Sequence, residues 1–99
     1  MILSVQHTVR DYDAWKSVFD EHQSGRAKDG CLGHTIYRDA DKPNDLTISL
    51  NHESRERADE FMRDPSLAEA MQRGGVISDP RATWLEEAEV ASYAEHRAA

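Results

Sequence analysis

The sequence predicts one small α+β domain in the order strand–helix–strand–strand–helix–strand. Four short segments alternate apolar and polar residues, which is typical of half-buried strands. Between them, apolar residues recur at steps of three and four, which is typical of amphipathic helices. The chain has 99 residues, which is enough for one domain with one modest core.

The N-terminal third holds the first strand and the first helix. Ile2 to Val9 alternates, and the apolar face of this strand carries Leu3, Val5, His7 and Val9. Asp11 or Asp13 then offers an N-cap, since a carboxylate accepts hydrogen bonds from the free N–H groups of a first turn. One helical stripe follows, formed by Tyr12, Trp15, Val18, Phe19 and His22. The helix is expected to fade into the polar stretch 24–29 and to stop at Gly30.

Two further strands form a hairpin. The turn between them, residues 39–45, is crowded with Asp, Pro and Asn. On the second strand, one face carries Leu32, His34, Ile36 and Arg38. On the third strand, one face carries Leu46, Ile48, Leu50 and His52. A turn centred near Lys42 predicts that His34 lies opposite Leu50.

The C-terminal half supplies the second helical layer and the last strand. Ser54 is a predicted cap for a helix that runs to Arg63, and Pro65 starts a short helix that runs to Arg73. Gly74-Gly75 ends this helix. Thr83 to Val90 is predicted as the last strand. The domain therefore covers residues 1–90, and residues 91–99 are predicted to be a loose tail.

The predicted topology leaves one face of the sheet without helices. A four-stranded antiparallel sheet carries both helices on one face, with the hairpin on one side and the first strand paired centrally. The other face mixes Thr, Ser, Gln, Asn and Tyr, which suits a pocket or a wet interface. A chain of this size cannot enclose a pocket of roughly 300 Å³ alone. We therefore expect a homodimer through the sheet face.

Composition excludes several partners. The net charge is −7, from 19 acidic and 12 basic residues, and the basic residues are scattered. This argues against nucleic acid, which needs clustered Lys and Arg. No apolar run reaches the roughly 20 residues that span a bilayer, and the N-terminus lacks a signal-peptide pattern, so we expect no membrane partner and a cytoplasmic location.

Four stretches of the chain resemble short actinobacterial proteins of the dimeric α/β-barrel superfamily. These stretches are residues 7–16, 33–41, 54–61 and 65–76, the last with its Ala-Met-Gln-Arg-Gly-Gly-Val ending. The superfamily includes antibiotic biosynthesis monooxygenases, stress-responsive A/B-barrel proteins and some polyketide cyclases. The resemblance implies a ferredoxin-like fold and dimerisation through the sheet. The monooxygenase branch often has a Glu-x-Trp pattern late in its third strand, whereas this chain has Leu50 and His52 there.

Histidines are the main candidates for chemistry. His7, His34 and His52 lie on three strands, on the faces that carry the aliphatic residues. Imidazole titrates near neutrality, so His34 or His7 can act as a general base on a phenol or an acidic C–H. Two other interpretations stay open. The three histidines can be structural residues of the strands, or they can bind a metal ion such as Zn²⁺ or Fe²⁺.

Five residues are predicted to bind substrate: Tyr37, Arg38, His52, Asn51 and Trp84. Arg38 can hold a carboxylate or enolate oxygen, and Tyr37 can donate a proton. The alternative for this pair is a surface ion pair and a rim aromatic. Trp84 suits a pocket wall and an interface anchor equally well.

Two functions follow from these residues and from the resemblance. The first is a cofactor-independent enzyme of aromatic or polyketide-type secondary metabolism, a cyclase, isomerase or monooxygenase-like protein with a histidine base. Its ligand would bind between the helices and the sheet, or inside the dimer barrel. The second is a non-catalytic dimeric protein that binds a small molecule or serves in a stress response. Metal- or haem-dependent chemistry is a third possibility.

Overall fold

The structure is a computed structural model that describes residues 1–94. Within that range the chain forms four strands and four helices. Their bounds are β1 (Ile2–Thr8), α1 (Tyr12–Glu21), α2 (Gln23–Lys28), β2 (Cys31–Arg38), β3 (Asp45–His52), α3 (Arg55–Arg63), α4 (Pro65–Arg73) and β4 (Arg81–Leu85). None of these helices is long and apolar enough to cross a membrane.

The four strands form one antiparallel sheet in the order β2-β3-β1-β4. The predicted α+β, ferredoxin-like topology is therefore confirmed, with β1 paired centrally and the β2–β3 hairpin on one side. The register of the hairpin is also confirmed, because His34 pairs with Leu50. Side chains of residues paired across strands lie on the same face of a sheet. The apolar faces of the individual strands therefore form one continuous apolar face of the sheet.

The helices cover one face of the sheet. The buried core on that face consists of Leu3, Val5, Val9, Trp15, Leu46, Ile48, Leu50 and Phe61. Trp15 comes from α1 and Phe61 from α3, so both helical layers pack on the same strand residues. All three strand histidines lie on this face, as the alternation predicts. His7 pairs with Leu46, His34 pairs with Leu50, and His52 ends the core face of β3.

The opposite face of the sheet is free of helices, and we call it the open face. Its central row consists of small hydroxyl residues: Thr35, Ser49, Ser4 and Thr83. One flanking row consists of Tyr37, Thr47, Gln6 and Arg81, and the other of Gly33, Asn51, Ile2 and Leu85. This composition matches the polar-mixed face that the sequence predicts.

Helix caps explain where the helices begin. The carboxylate of Asp11 accepts a hydrogen bond from the Ala14 N–H at 3.0 Å, and the Ser54 hydroxyl accepts one from the Arg57 N–H at 3.2 Å. Asp64 accepts one from the Ser66 N–H at 2.9 Å, with Pro65 at the first helical position of α4. Each such bond satisfies a backbone donor that the first turn leaves free, which is typically worth about 1 kcal/mol.

The first helical segment differs from the prediction of one fading helix. The chain forms a second helix, α2, directly after α1, and both meet at His22. Gly30 then ends the segment with a φ of +87°, a left-handed conformation that a side chain would strain. Residues 23–28 are therefore helical, because Gln23, Arg26, Ala27 and Lys28 are ordinary helix formers that can continue for more than one turn without an apolar face.

The last strand is shorter and begins earlier than predicted. It runs from Arg81 to Leu85, and residues 86–94 form neither helix nor strand. The prediction that Thr83 to Val90 forms a strand was therefore wrong beyond Leu85. The reason is the length of the partner, because β1 offers pairing positions for β4 only from Ile2 to Gln6. Of the predicted tail, residues 95–99 lie outside the described residues, and the domain boundary at residue 90 stays a prediction.

A β-bulge changes the face of one residue. The pairing between β2 and β3 shifts between Cys31 and Gly33, so Leu32 is the extra residue and is 65% exposed. The prediction that Leu32 shares the apolar face of β2 was wrong for this reason. Cys31 takes that place instead, paired with His52 and packed against the core.

Candidate functional site

A cavity lies between the helices and the sheet, and we call it the interior cavity. Its volume is about 60 Å³. Its wall is mostly apolar and aromatic, and consists of Val5, Trp15, Val18, Phe19, Ile48, Leu50, Phe61, Met62, Leu67, Ala70 and Met71. Three polar side chains complete it: His7, His22 and Arg26. An apolar wall with a few polar groups is typical of small-molecule sites.

His7 reaches the interior cavity from the central strand β1. Its side chain is 7% exposed, and its ring lies edge-on to Trp15 with the ring centroids 5.8 Å apart. Burial lowers the pKa of His7 because the charged imidazolium would lose its water. Its Nδ1 atom is buried and has no hydrogen-bond partner. Burial therefore favours the neutral form of the ring, and His7 is part of the cavity wall.

Arg26 reaches the same cavity from α2 and is only 4% exposed. Its Nη1 donates to the Phe19 carbonyl oxygen at 2.7 Å, and its Cζ lies 3.6 Å from the centroid of the Phe19 ring. Its Nη2 is buried without a partner. Among residues 1–94, no carboxylate oxygen lies within 4.0 Å of this guanidinium. Burial lowers the pKa of Arg26, but arginine stays charged at neutral pH.

His22 lies where α1 meets α2, half-buried at the rim of the interior cavity. Its Nε2 lies 3.2 Å from the Ser66 hydroxyl of α4. This contact joins α4 to the first helical segment across the cavity. No side chain of α4 is buried, so α4 is the element with the fewest packing constraints over the cavity.

Two surface grooves lie outside the interior cavity. One, of about 530 Å³, is lined by Met1, Ile2, Gly33, His34, Thr35, Tyr37, Ser49, Asn51 and Glu87. The other, of about 440 Å³, is lined by Gln6, His7, Thr8, Tyr37, Arg38, Asp39, Asp45, Leu46, Thr47 and Ser78. Both include residues of the open face. They are larger than the interior cavity and more polar.

The structure divides the predicted site residues among these places. The first groove brings together His34, Tyr37 and Asn51, and the second brings together His7, Tyr37 and Arg38. Only His7 also lines the interior cavity. His52 and Trp84 line none of the three.

Several of these residues have partners that explain their positions. The Arg38 guanidinium lies 4.0 Å from the centroid of the Tyr12 ring and donates to the Pro43 carbonyl oxygen at 2.9 Å. Trp84 packs against the core, with the Arg55 guanidinium 4.9 Å from the centroid of its ring system. These contacts are those of residues that stabilise the surface of the fold.

His34 and His52 have different surroundings. His34 is exposed and lies edge-on to Phe19, with ring centroids 4.9 Å apart. Its pKa is lowered, mainly by desolvation and then by the positive charge of Arg26. His52 is 1% exposed and packs against Phe61 at 5.6 Å, and burial lowers its pKa too.

The three strand histidines do not converge on a metal site. In the part of the chain from Met1 to Ala94, no group of three or more His, Cys, Asp or Glu side chains is placed to hold a metal ion. His7, His34 and His52 lie on separate strands and face different neighbours. The open alternative of a site with these three ligands is therefore not supported by their positions.

Sequence reasoning missed Arg26, and the signal for it was present. Trp15, Phe19 and His22 form the inward stripe of α1, and Arg26 continues the same spacing four residues later. The polar residues around Arg26 hid this continuation, because the segment looked like the end of a helix. A lone base on an inward helical stripe is the pattern that would have indicated it.

Comparisons with known proteins agree on the fold. No family model matches this chain, and no curated protein sequence matches it. Solved structures do. SnoaB, a cofactor-independent oxygenase from Streptomyces nogalater, is 17% identical, with a TM-score of 0.68 over 87% of this chain and 92% of that one. Rv0793 from Mycobacterium tuberculosis is 22% identical, with a TM-score of 0.64 over 92% and 98%.

A structure described as an antibiotic biosynthesis monooxygenase gives the same result. It is 12% identical, with a TM-score of 0.68 over 90% of this chain and 100% of that chain. Identities this low show the shared fold alone. The chain therefore has the fold of the antibiotic biosynthesis monooxygenases, as the resemblance in its sequence implies.

Proposed function

We propose that this chain is a cofactor-independent enzyme that removes a proton from a small aromatic or polyketide-type ligand, with His7 as the general base. The observation that carries the proposal is the His7 imidazole, buried on the wall of an apolar cavity with Nδ1 unpartnered. A neutral imidazole accepts a proton from an activated C–H or from a phenol at physiological pH. The shared fold with a cofactor-independent oxygenase supports the same chemistry.

The lowered pKa of His7 makes it the best placed of the strand histidines. A general base must be unprotonated before it can act, and burial keeps His7 neutral. His34 is the second candidate base, but it lies on the exposed edge strand and lines a surface groove instead of the interior cavity. We therefore assign the base to His7 and keep His34 as the matched control.

The proton transfer has two possible outcomes that share one first step. Removal of the proton by His7 leaves an enolate or phenolate on the ligand. This anion can attack a second group of the same ligand, which closes or isomerises a ring. It can also add O₂, and a CH₂ group then becomes a carbonyl with release of one water per O₂ consumed.

The interior cavity must become larger before a ligand can bind in it. Its volume of about 60 Å³ is well below the roughly 300 Å³ of small-molecule pockets. Helix α4 has no buried side chain, and the two methionines that α3 and α4 contribute to the wall, Met62 and Met71, are flexible. We propose that α4 moves outward to admit the ligand.

The test is deuterium exchange into 2-tetralone, a bicyclic ketone with an acidic benzylic C–H, followed by proton NMR in D₂O without oxygen. We expect exchange with the wild-type protein to exceed the buffer rate. In the His7→Gln variant the exchange rate should fall on the order of 100-fold, as is typical when a general base is removed. The His34→Gln variant should keep the wild-type exchange rate. Equal rates for wild type and His7→Gln, with the fold confirmed by circular dichroism, would refute the assignment.

Oxygen uptake during the same reaction in air separates the two outcomes. Consumption of one O₂ per ligand identifies oxygenation, and no consumption identifies a cyclase or isomerase. Binding of 2-tetralone with exchange at the buffer rate would favour the alternative function, a non-catalytic protein that binds small molecules. The observation that favours this alternative is the small and mostly apolar cavity.

We also propose that the chain works as a homodimer whose two open faces meet. The central row of Thr35, Ser49, Ser4 and Thr83 is small enough for a second sheet to approach closely. Exposed apolar side chains flank it, including Tyr37 at 58% and Leu85 at 45% exposure. The proposed dimer covers both surface grooves and leaves the interior cavity of each protomer intact.

A further inference from the structure

We propose that Arg26 makes the interior cavity select ligands that carry an anionic oxygen, either a carboxylate or an ionised phenol or enol, on an otherwise apolar ring. This inference rests on the proposed role of the cavity as the ligand site. It does not require His7 to act as a base.

The Arg26 guanidinium has hydrogen-bond donors that the protein leaves unused. Arginine has five N–H donors, and the structure gives those of Arg26 one acceptor, the Phe19 carbonyl oxygen. Nη2 is buried without any partner, and no carboxylate of residues 1–94 lies within 4.0 Å. The Arg26 residue as a whole is only 4% exposed. The carboxylate of Asp20 acts on this charge only from beyond 4.0 Å, so the guanidinium is a buried cation without a close ion pair, which is unfavourable.

The orientation of the guanidinium is fixed by Phe19. The ring packs against its plane at 3.6 Å, and the carbonyl of the same residue binds Nη1. Two contacts to one residue hold the side chain in place before any ligand arrives. A preorganised donor in an apolar surrounding binds an anionic oxygen more strongly than a mobile surface cation does.

Because the protein as a whole is negatively charged, any preference for an anionic ligand must come from a cation inside the cavity. The net charge of −7 repels anions from the surface as a whole. A ligand anion that binds must therefore gain its free energy from a specific cation. Arg26 is the only arginine or lysine on the wall of the interior cavity among the described residues.

The second explanation for Arg26 is purely structural. It closes the C-terminal end of α1 by binding the Phe19 carbonyl, and a few water molecules in the cavity would bind Nη2. This explanation predicts no preference between charged and neutral ligands of the same shape. The two explanations therefore predict different ratios between the affinities for a charged ligand and for a neutral ligand of the same shape.

The test compares benzoate with benzamide, which have nearly the same shape, by isothermal titration calorimetry. We expect the wild-type protein to bind benzoate at least about tenfold more tightly, as charge-assisted hydrogen bonds require. Arg26→Gln should bring the ratio close to one, and Arg26→Lys should keep part of it. The Arg63→Gln variant removes an exposed cation outside the cavity and should keep the full ratio. Because neither compound transfers a proton in this test, failure of the proton-transfer proposal remains distinguishable from failure of this one.

Comparison of 4-nitrophenol with its methyl ether tests the ionised phenol in the same way. The pair whose affinity ratio depends on Arg26 shows whether the cavity selects a carboxylate or an ionised phenol. Equal ratios in wild type and Arg26→Gln would overturn the proposal, as would failure of both anions to bind the wild type at millimolar concentration. If Arg26→Gln does not fold, the ¹⁵N signals of the Arg26 side chain in the wild type decide. A shift with benzoate but not with benzamide supports the proposal, and no shift with either anion overturns it.

Discussion

Among residues 1–94, the side chains of His7, Arg26, His52 and Arg57 keep buried nitrogen atoms without hydrogen-bond partners. The Arg57 atom lies 3.9 Å from a carboxylate oxygen of Glu60 and forms an ion pair with it. His7 and Arg26 each keep such an atom, and both line the interior cavity. His52 keeps two, Nδ1 and Nε2, but it lines neither the interior cavity nor the two surface grooves described above. An unpartnered polar atom lowers stability, and a ligand can satisfy it only where there is space. We therefore assign a ligand role to His7 and Arg26, and a packing role to His52.

Replacement of His52 by leucine tests this division. The His52→Leu variant should be at least as stable as the wild type at pH 7, because an apolar side chain of similar size removes two unsatisfied nitrogens. It should also lose less stability on acidification. Burial lowers the pKa of folded His52 below the unfolded value of about 6.5, so the unfolded chain binds a proton that the folded chain does not.

The sign follows from this difference in proton binding. Stability is fully present above pH 6.5 and falls as the pH drops towards the folded pKa, by at most about 1.4 kcal/mol per pH unit for each such histidine. His7 and His34 act in the same direction and remain in the variant, so part of the acid sensitivity should persist. Urea unfolding between pH 5 and pH 8 measures the slope. An unchanged slope in His52→Leu would contradict the account.

At the scale of the elements, alternation predicted the strands and their faces well. The period-two pattern decides which face a strand residue occupies, and the pairing of His34 with Leu50 follows from the length of the turn. The N-cap Ser54 and the first-turn residue Pro65 likewise mark where α3 and α4 begin. These features are local, so the sequence carries them directly.

The elements that differed from prediction depend on distant partners. β4 ends at Leu85 because β1 offers it no further pairing position, and Leu32 leaves its expected face because β2 and β3 adjust their register by one residue. Neither cause is visible in the segment itself. The same holds for the site, since Arg26 is important only because Phe19 and the sheet enclose it. Its segment alone has the composition of an ordinary polar helix end.

The whole molecule has two faces with separate proposed tasks. The covered face holds the interior cavity, and the open face holds a central row of small hydroxyl residues with apolar residues at its sides. An uncovered sheet face of a 99-residue chain is expected to find a partner. We propose that this partner is a second copy, and that the ligand binds on the other side of each sheet.

A single charge in the central row tests the dimer. Ser49→Arg places a bulky cation where the two sheets would meet, and it should convert the dimer into a monomer at micromolar concentrations. Ser17→Arg is the matched control, because Ser17 is exposed on α1 and lies on the helical layer. Size-exclusion chromatography with light scattering measures both. A monomeric wild type, or a dimer that tolerates Ser49→Arg, would contradict the proposed interface.

The central claim is that the ligand binds in the interior cavity and not on the open face, and the three methionines of the chain test it most directly. Met62 and Met71 line the interior cavity, whereas Met1 lines the groove of about 530 Å³ at the open face. The measurement is a titration of ¹³C-methyl-methionine protein with 2-tetralone, followed by NMR. We predict shifts of the Met62 and Met71 methyl signals with Met1 unchanged. A shift of the Met1 signal alone would place the ligand on the open face and contradict the account.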